Sequence, residues 1–190
     1  MHSALFINSF IAGTGETSIL WYRDRTGVRI RRIFLSSGGG SSSSAAGRAF
    51  PGITAADNHE IRRLAGIIEM LSRGLRQDFE LELLDLDSCT DFQKKVLMET
   101  ARIPPGRVAT YRRLAERVSG PSYARAAGRA LAGNPFPLVI PCHRVVRSNG
   151  AIGGYQGGED MKRSLLELEG VLLDPVSGFA SSVMFTPAEN

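Results

Sequence analysis

Cysteine is nearly missing from these 190 residues: there are two, Cys89 and Cys142, and the only histidines are His2, His59 and His143. So few thiols in a chain this long exclude a disulfide framework and fit a reducing compartment, where a lone thiol either packs or reacts. The scattered histidines give no cluster at zinc-site spacing, so no metal is expected. Long hydrophobic runs are absent too. The longest near the start, "SALFINSFIAG", is too short to span a bilayer and lacks the basic flank of a signal peptide; it reads as a strand. A cytoplasmic location with no membrane partner is the expectation.

Acid is the next scarcity, and it is local. Between Ala101 and Gly150 the chain carries nine arginines, no lysine and a single acid, Glu116, a balance of +8 within a chain of net charge +4. The remainder is therefore mildly acidic. One segment has the charge footprint of a protein that meets a polyanion, or else of an arginine-rich solvated face.

The length allows one full-sized domain or two small ones. Three runs rich in β-branched and aromatic residues, Ala4 to Ala12, Ser18 to Arg23 and Val28 to Leu35, predict strands, the last two joined by a hairpin at "RDRTG". "SSGGGSSSSAAG", residues 36–47, is expected to be a flexible loop. Asp57 or Asn58 then caps a helix with Ile61, Leu64, Ala65, Ile68 and Leu71 on one face. "DFELELLDLD" reads as a strand or extended linker holding a domain boundary. The expected division is an N-terminal α/β domain over 1–85, a mainly helical domain over 86–175, and a tail over 176–190, an α+β chain in all.

In the second domain Thr90 or Asp91 caps a helix that "IPPG" stops near Ala101, because consecutive prolines cannot continue it. Thr110 starts another, with Tyr111, Leu114, Ala115 and Val118 on its inner stripe. "SGPS" separates it from a third helix, Tyr123 to Ala132, so the pair has helix-turn-helix form. This third helix is thin, with Ala124, Ala126, Ala127 and Gly128 among its members, and its long polar side chains are Arg125 and Arg129 at i, i+4. Close approach to a groove and tight packing against a neighbouring helix both fit that composition.

Asn134-Pro135 ends the helix, asparagine being tolerant of the left-handed conformation. "LVI" reads as a buried strand that delivers Cys142, followed by His143 and Arg144. A thiol is mostly protonated at neutral pH, so a nucleophilic cysteine needs a base or positive charge nearby. Direct contact with His143 is disfavoured on an extended chain, and a bridging water is the natural link. The competing reading is a packed cysteine at a strand end. Farther on, "NGAIGGYQGG" is a glycine-rich loop around Tyr155, and a last helix ends at Gly170 with Glu169 in its final turn. The helix dipole disfavours a carboxylate there, so Glu169 is either solvated or orienting a partner such as a histidine.

Taken together, "TDFQKKVL", "IPPGRVATYRRLA", "ARAAGRALAGNPFPLVIPCHRVV", "GAIGGYQGG" and "KRSLLELEG" resemble the catalytic domain of the O6-alkylguanine-DNA alkyltransferases, the methylated-DNA-protein-cysteine methyltransferases. The resemblance implies that Cys142 accepts the alkyl group, that His143 acts as its base through water, and that Glu169 orients His143. It makes Asn134 the hinge support of the cysteine and Tyr111 the proton donor to the departing guanine. It makes Arg125 the finger that fills the gap left by a flipped base. The helix with Arg129, Ala124, Ala126 and Ala127 would lie in the minor groove of double-stranded DNA, and Tyr155, Gln156, Gly157 and Val145 would border the guanine pocket. A monomer that needs no cofactor and is consumed in one turnover is implied. Two positions depart from the family pattern: Leu97 replaces a common tryptophan, and Gln156 replaces a small hydroxyl residue. The runner-up is a non-catalytic sensor of alkylated DNA, which would lack the reactive cysteine.

Overall fold

Three β-rich runs form a meander: β1 (Phe6–Ala12), β2 (Gly15–Asp24) and β3 (Gly27–Leu35) pair antiparallel in sequence order. The hairpin closes with Asp24 opposite Gly27, whose φ of 127° a side chain would oppose. The computed structural model describes residues 4–174, 178–179 and 184–185. It divides into two units, Met1–Ser88 with Pro135–Val139, and Cys89–Asn134 with Ile140–Asn190. Pro135–Val139, which the sequence places amid the second domain, thus belongs to the first unit, where the Pro135 carbonyl accepts from the Ile33 amide at 2.8 Å.

The Ser/Gly stretch is not a loop throughout. It contains a helix, α1 (Ser42–Ala49), capped by Ser41, whose hydroxyl accepts from the Ser44 amide. Its buried side is Ser42 and Ala46, small enough to lie close on β2, and the Ser42 hydroxyl shares a 2.7 Å hydrogen bond with Ser18. Hydrogen bonding replaces the apolar stripe by which a buried helix is usually read. After the short β4 (Thr54–Ala55), which adds parallel to β1, comes α2 (His59–Ser72), capped by Asn58 and burying Ile61, Leu64, Ala65 and Ile68. The sheet order is β3-β2-β1-β4. "DFELELLDLD" is no regular strand: it winds into two 3₁₀ turns, Leu81–Leu83 and Leu86–Ser88, and between them Leu84 is buried in the core beside Asp85, whose buried carboxylate pairs with Arg31 at 2.8 Å.

In the second unit α3 (Asp91–Ala101) starts at a Thr90 cap, and after "IPPG" a two-residue β5 (Ala109–Thr110) leads into α4 (Tyr111–Val118), capped by Thr110. A 3₁₀ turn over Pro121–Tyr123 reverses the chain into α5 (Ala124–Ala132), giving the helix-turn-helix. The three helices pack on one another over Val96, Leu97, Leu114, Ala115, Ala127 and Leu131. Leu97 is fully buried, as a packing replacement for a larger ring would be. Gln93 of α3 donates from its amide to the carbonyls of Ala130 and Gly133, each at 3.1 Å, satisfying acceptors that the end of α5 leaves open.

β6 (Val145–Val146) pairs parallel with β5, α6 (Glu159–Leu168) follows, and β7 (Leu173–Asp174) pairs with β8 (Gly178–Phe179). Most of the expected tail lies outside the described residues; of the rest, Met184 packs on Val108, Val146, Leu166 and Val171. Among the described residues no helix is long and apolar enough to cross a membrane.

Candidate active site

The segment expected as a strand, "LVI", is instead a tight buried turn. Prolines 135, 137 and 141 lack amide donors for a ladder, and Leu138 carries the left-handed φ of 71° expected at Asn134. Asn134 does a different job. Fully buried, it donates from its side-chain amide to the Ile140 carbonyl at 3.0 Å and to the Cys142 sulfur at 3.2 Å. That grip fixes the sulfur at the start of a 3₁₀ turn, Cys142–Arg144, so the chain bends where extended geometry was expected.

The bend sends His143 and Arg144 toward the C-terminal end of α6. His143 is buried, and its Nε2 lies 3.0 Å from Glu169 Oε1, placing the proton on that nitrogen as donor to the carboxylate. Its Nδ1 is buried and takes no hydrogen bond from the described residues. No hydrogen bond joins His143 directly to Cys142 among those described, which leaves the water-bridged link as the sequence has it. Arg144, whose place beside Cys142 suggests positive charge for the thiol, directs that charge to Glu169 instead. It reaches Glu169 with Nε at 3.0 Å and Nη2 at 2.7 Å and donates from Nη1 to the Ile103 carbonyl at 2.6 Å. The Gly106 amide adds a longer contact of 3.4 Å to Glu169 Oε2. An acid near the end of a helix is thereby stabilised by two side chains from one turn.

The electrostatics follow from burial. Burial alone would raise the Glu169 carboxyl, but the hydrogen bonds from His143 and Arg144 outweigh it and hold the group at about 2. Burial pushes His143 down, with Glu169 opposing, so the imidazole is neutral and basic at neutral pH. Burial pushes the Cys142 thiol up, against the Asn134 hydrogen bond and the charge of Lys162. Lys162 is a residue the sequence did not signal: it is fully buried, and its Nζ donates to the Val145 carbonyl at 2.6 Å.

A cavity of about 360 Å³ opens beside the sulfur. Cys142, Leu131 and Gly128 line one part of it and Tyr111, Tyr155 and Gln156 another. The volume lies in the range of small-molecule pockets. Gln156 donates its side-chain amide to the Asn134 carbonyl, fastening the glycine loop to the segment that holds the cysteine. Gly153, at φ 79°, is where the loop passes Tyr111; a Cβ there would lie 3.3 Å from the phenol oxygen. Gly157 sits on Met161, with no room for a Cβ beside the sulfur as placed. The Tyr155 hydroxyl is buried without a partner among the described residues and its pKa is driven far up by burial, so it keeps its proton. Val145 is buried and contributes its carbonyl rather than its side chain.

On α5 the structure separates the expected surface residues. Arg125 and Arg129 are exposed with no acidic partner among the described residues, and Ala124 and Ala126 are half-buried beside them. Ala127 is fully buried against the unit's interior, so it cannot belong to an outward face; at i+2 from Arg125 it lies on the opposite side of the helix. Part of the basic excess is also spent internally. Glu99 pairs with Arg102 and Arg117, Glu116 pairs with Arg112, and Arg144 is sealed against Glu169.

A mixed α+β chain whose second unit sets a buried cysteine, an adjacent imidazole and a carboxylate beneath a helix-turn-helix defines a class of cysteine-centred proteins built on a nucleic-acid-binding motif. A family model described as "6-O-methylguanine DNA methyltransferase, DNA binding domain" matches residues 91–171. The methylated-DNA-protein-cysteine methyltransferase of Metallosphaera sedula is 41% identical over 117 residues, 62% of this chain and 72% of that one. Its counterpart from Methanothermobacter thermautotrophicus is 49% identical over 114 residues, 60% of this chain and 64% of that one. The crystal structure of Mycobacterium tuberculosis O6-methylguanine methyltransferase superposes with a TM-score of 0.70 at 27% identity, covering 87% of this chain and 92% of that one. The chain belongs to the methylated-DNA-protein-cysteine methyltransferase family. Against the Methanothermobacter protein and its counterparts from Mycolicibacterium paratuberculosis and Mycobacterium bovis, the matches span 64% to 66% of the relatives' length, just under two thirds.

Proposed function

We propose that the protein repairs double-stranded DNA by moving the alkyl group of O6-alkylguanine onto Cys142 in a single turnover. The observation that carries this reading is a sulfur clamped by Asn134 on the wall of a cavity bordered by Tyr111, Tyr155 and Gln156. The O6 atom of a stacked guanine is out of reach, so the nucleotide must be extruded, at a cost of about a few kcal/mol. Exposed Arg125 enters from the minor groove and occupies the gap, while Arg129 and the half-buried Ala124 and Ala126 let α5 lie close to the backbone.

His143, neutral and oriented by Glu169, takes the thiol proton through water at Nδ1. The sulfur then attacks the alkyl carbon: the S–C bond forms as the C–O6 bond breaks, and its electrons pass to the purine. Tyr111, kept protonated by burial, delivers a proton to the leaving base and regains one from solvent. The thioether has no hydrolytic route at this site, so one protein serves one lesion. No cofactor enters the scheme. A cytoplasmic monomer fits it, each molecule needing one duplex and one cysteine.

The test is the intact mass of the protein after incubation with duplex containing O6-methylguanine. A stoichiometric gain of one methyl group, mapped to Cys142, is expected. Tight binding with no change in mass would instead favour a non-catalytic sensor. Arg125→Ala is expected to slow repair of duplex about tenfold or more while changing the reaction with free O6-benzylguanine by less than about threefold, since only the duplex must hold a base out of its stack. Equal slowing of both substrates would remove the finger role.

A further inference from the structure

Tyr111 stands at the cavity between two elements that each carry an exposed arginine. On one edge of its ring is α5: a Cβ added at Gly128 would lie 3.8 Å from Cδ1 and 3.9 Å from Cε1. On the other edge, a Cβ at Gly153 would lie 3.4 Å from Cε2, 3.3 Å from the phenol oxygen and 3.6 Å from Arg147 Cγ. The strands put Arg147 there. Thr110 of β5 faces Val146 of β6 in a parallel pair, so the next residues, Tyr111 and Arg147, leave the ladder as neighbours on chains about 4.8 Å apart. A tight turn then holds Arg147 at its base. Its amide donates to the Ala151 carbonyl at 2.9 Å, its carbonyl accepts from the Gly150 amide at 3.1 Å, and the Asn149 side chain accepts from the Ala151 amide at 3.2 Å. Arg147 is exposed and pairs with no acid among the described residues.

Arg102, Arg112, Arg117 and Arg144 of the basic segment are matched to acids, whereas Arg147 is a cation left over on the far side of the Tyr111 ring from α5. A nucleotide swung into the cavity brings its own phosphates to the rim, because its strand stays continuous with the duplex held on α5. The strand therefore crosses Tyr111, and an anion arrives where Arg147 stands. A guanidinium binds a phosphate through paired N–H donors in a fixed fork. We propose that Arg147 is a second DNA-binding element, gripping a phosphate that flanks the extruded nucleotide from the side of Tyr111 opposite α5. This rests on the reading that a base leaves the duplex. Arg125 fills the space the base vacates; Arg147 holds the strand that has moved.

The contact is tested by pairing a change in the protein with a change in the DNA. An uncharged methylphosphonate replaces the phosphate immediately 5′ or 3′ of O6-methylguanine in a duplex, and methyl transfer to Cys142 is timed by intact mass. Arg147→Ala should slow the ordinary duplex about tenfold. The methylphosphonate at one of the two positions should slow the parent about tenfold, yet slow Arg147→Ala by less than about twofold more. Effects that simply multiply at both positions would overturn the proposal. Free O6-benzylguanine, which has no phosphate, should react with Arg147→Ala within about threefold of the parent; a tenfold loss there would put the role inside the cavity and overturn it equally. If Arg147→Ala does not fold, the parent decides, and slowing of less than about twofold with either methylphosphonate overturns the contact. The same cycle read as duplex affinity on the Cys142→Ala background needs no transfer. A coupled cycle in affinity, beside a parent that moves no alkyl group from any substrate, would strike the repair reading and keep the contact.

Discussion

Cys142→Ala is expected to abolish transfer of a radiolabelled methyl group from O6-methylguanine duplex while leaving the affinity for that duplex within about threefold. The expectation follows from the separation of roles in the second unit. The exposed arginines that would hold DNA sit on α5, and Cys142 caps neither end of that helix. Replacement by alanine removes the sulfur and frees the Asn134 amide, which keeps its bond to the Ile140 carbonyl at 3.0 Å, so the turn retains one of its two ties. The effect on chemistry is total because the remaining thiol, Cys89, is buried and does not line the cavity. Label recovered on the alanine variant would show that another atom accepts the alkyl group.

Glu169→Gln is the second large effect, and it acts on stability before chemistry. The carboxylate is the counter-ion of Arg144, whose side chain is only 8% exposed, and the acceptor for His143. Removing one partner of a buried pair strands the other, at a cost of about 3 to 5 kcal/mol, which lowers the Tm by about 10 °C. The acid limb supplies a cleaner signature. Glu169 sits at about 2 in the folded protein against 4.5 ordinarily, so its contribution of about 3 kcal/mol is complete above the ordinary value and fades as pH falls toward 2. Denaturation midpoints measured between pH 5 and 2 should fall steeply for the parent and less for the glutamine variant. Parallel curves would mean that the carboxylate carries no such load.

Where local chemistry decides structure, the chain was readable. Asn58, Thr90 and Thr110 cap the helices expected of them, and proline ends α3. The Cys142, His143 and Glu169 set comes from the family resemblance, since the residues alone leave a packed cysteine and a solvated glutamate open. What escaped depends on contacts remote in sequence. Helix α1 has serine and alanine where a reader looks for leucine, and only the Ser18 hydroxyl opposite reveals why Ser42 is inside. Arg144 reads as a charge for the neighbouring thiol until its 2.7 Å pairing with Glu169 is known. Lys162 follows a methionine in a charged run, with nothing local to mark it as the inward member. Gln156 departs from the family's small hydroxyl, yet its amide reaches the Asn134 carbonyl, a contact only the folded loop makes possible.

The Gln93 side chain carries a mechanical implication. By holding the last carbonyls of α5 from a neighbouring helix, it acts as a strut at the end of a lever whose other end bears Arg125. If the proposed repair holds, load placed on α5 by an opened duplex would pass through Gln93 into α3 before it reached Asn134 and the sulfur.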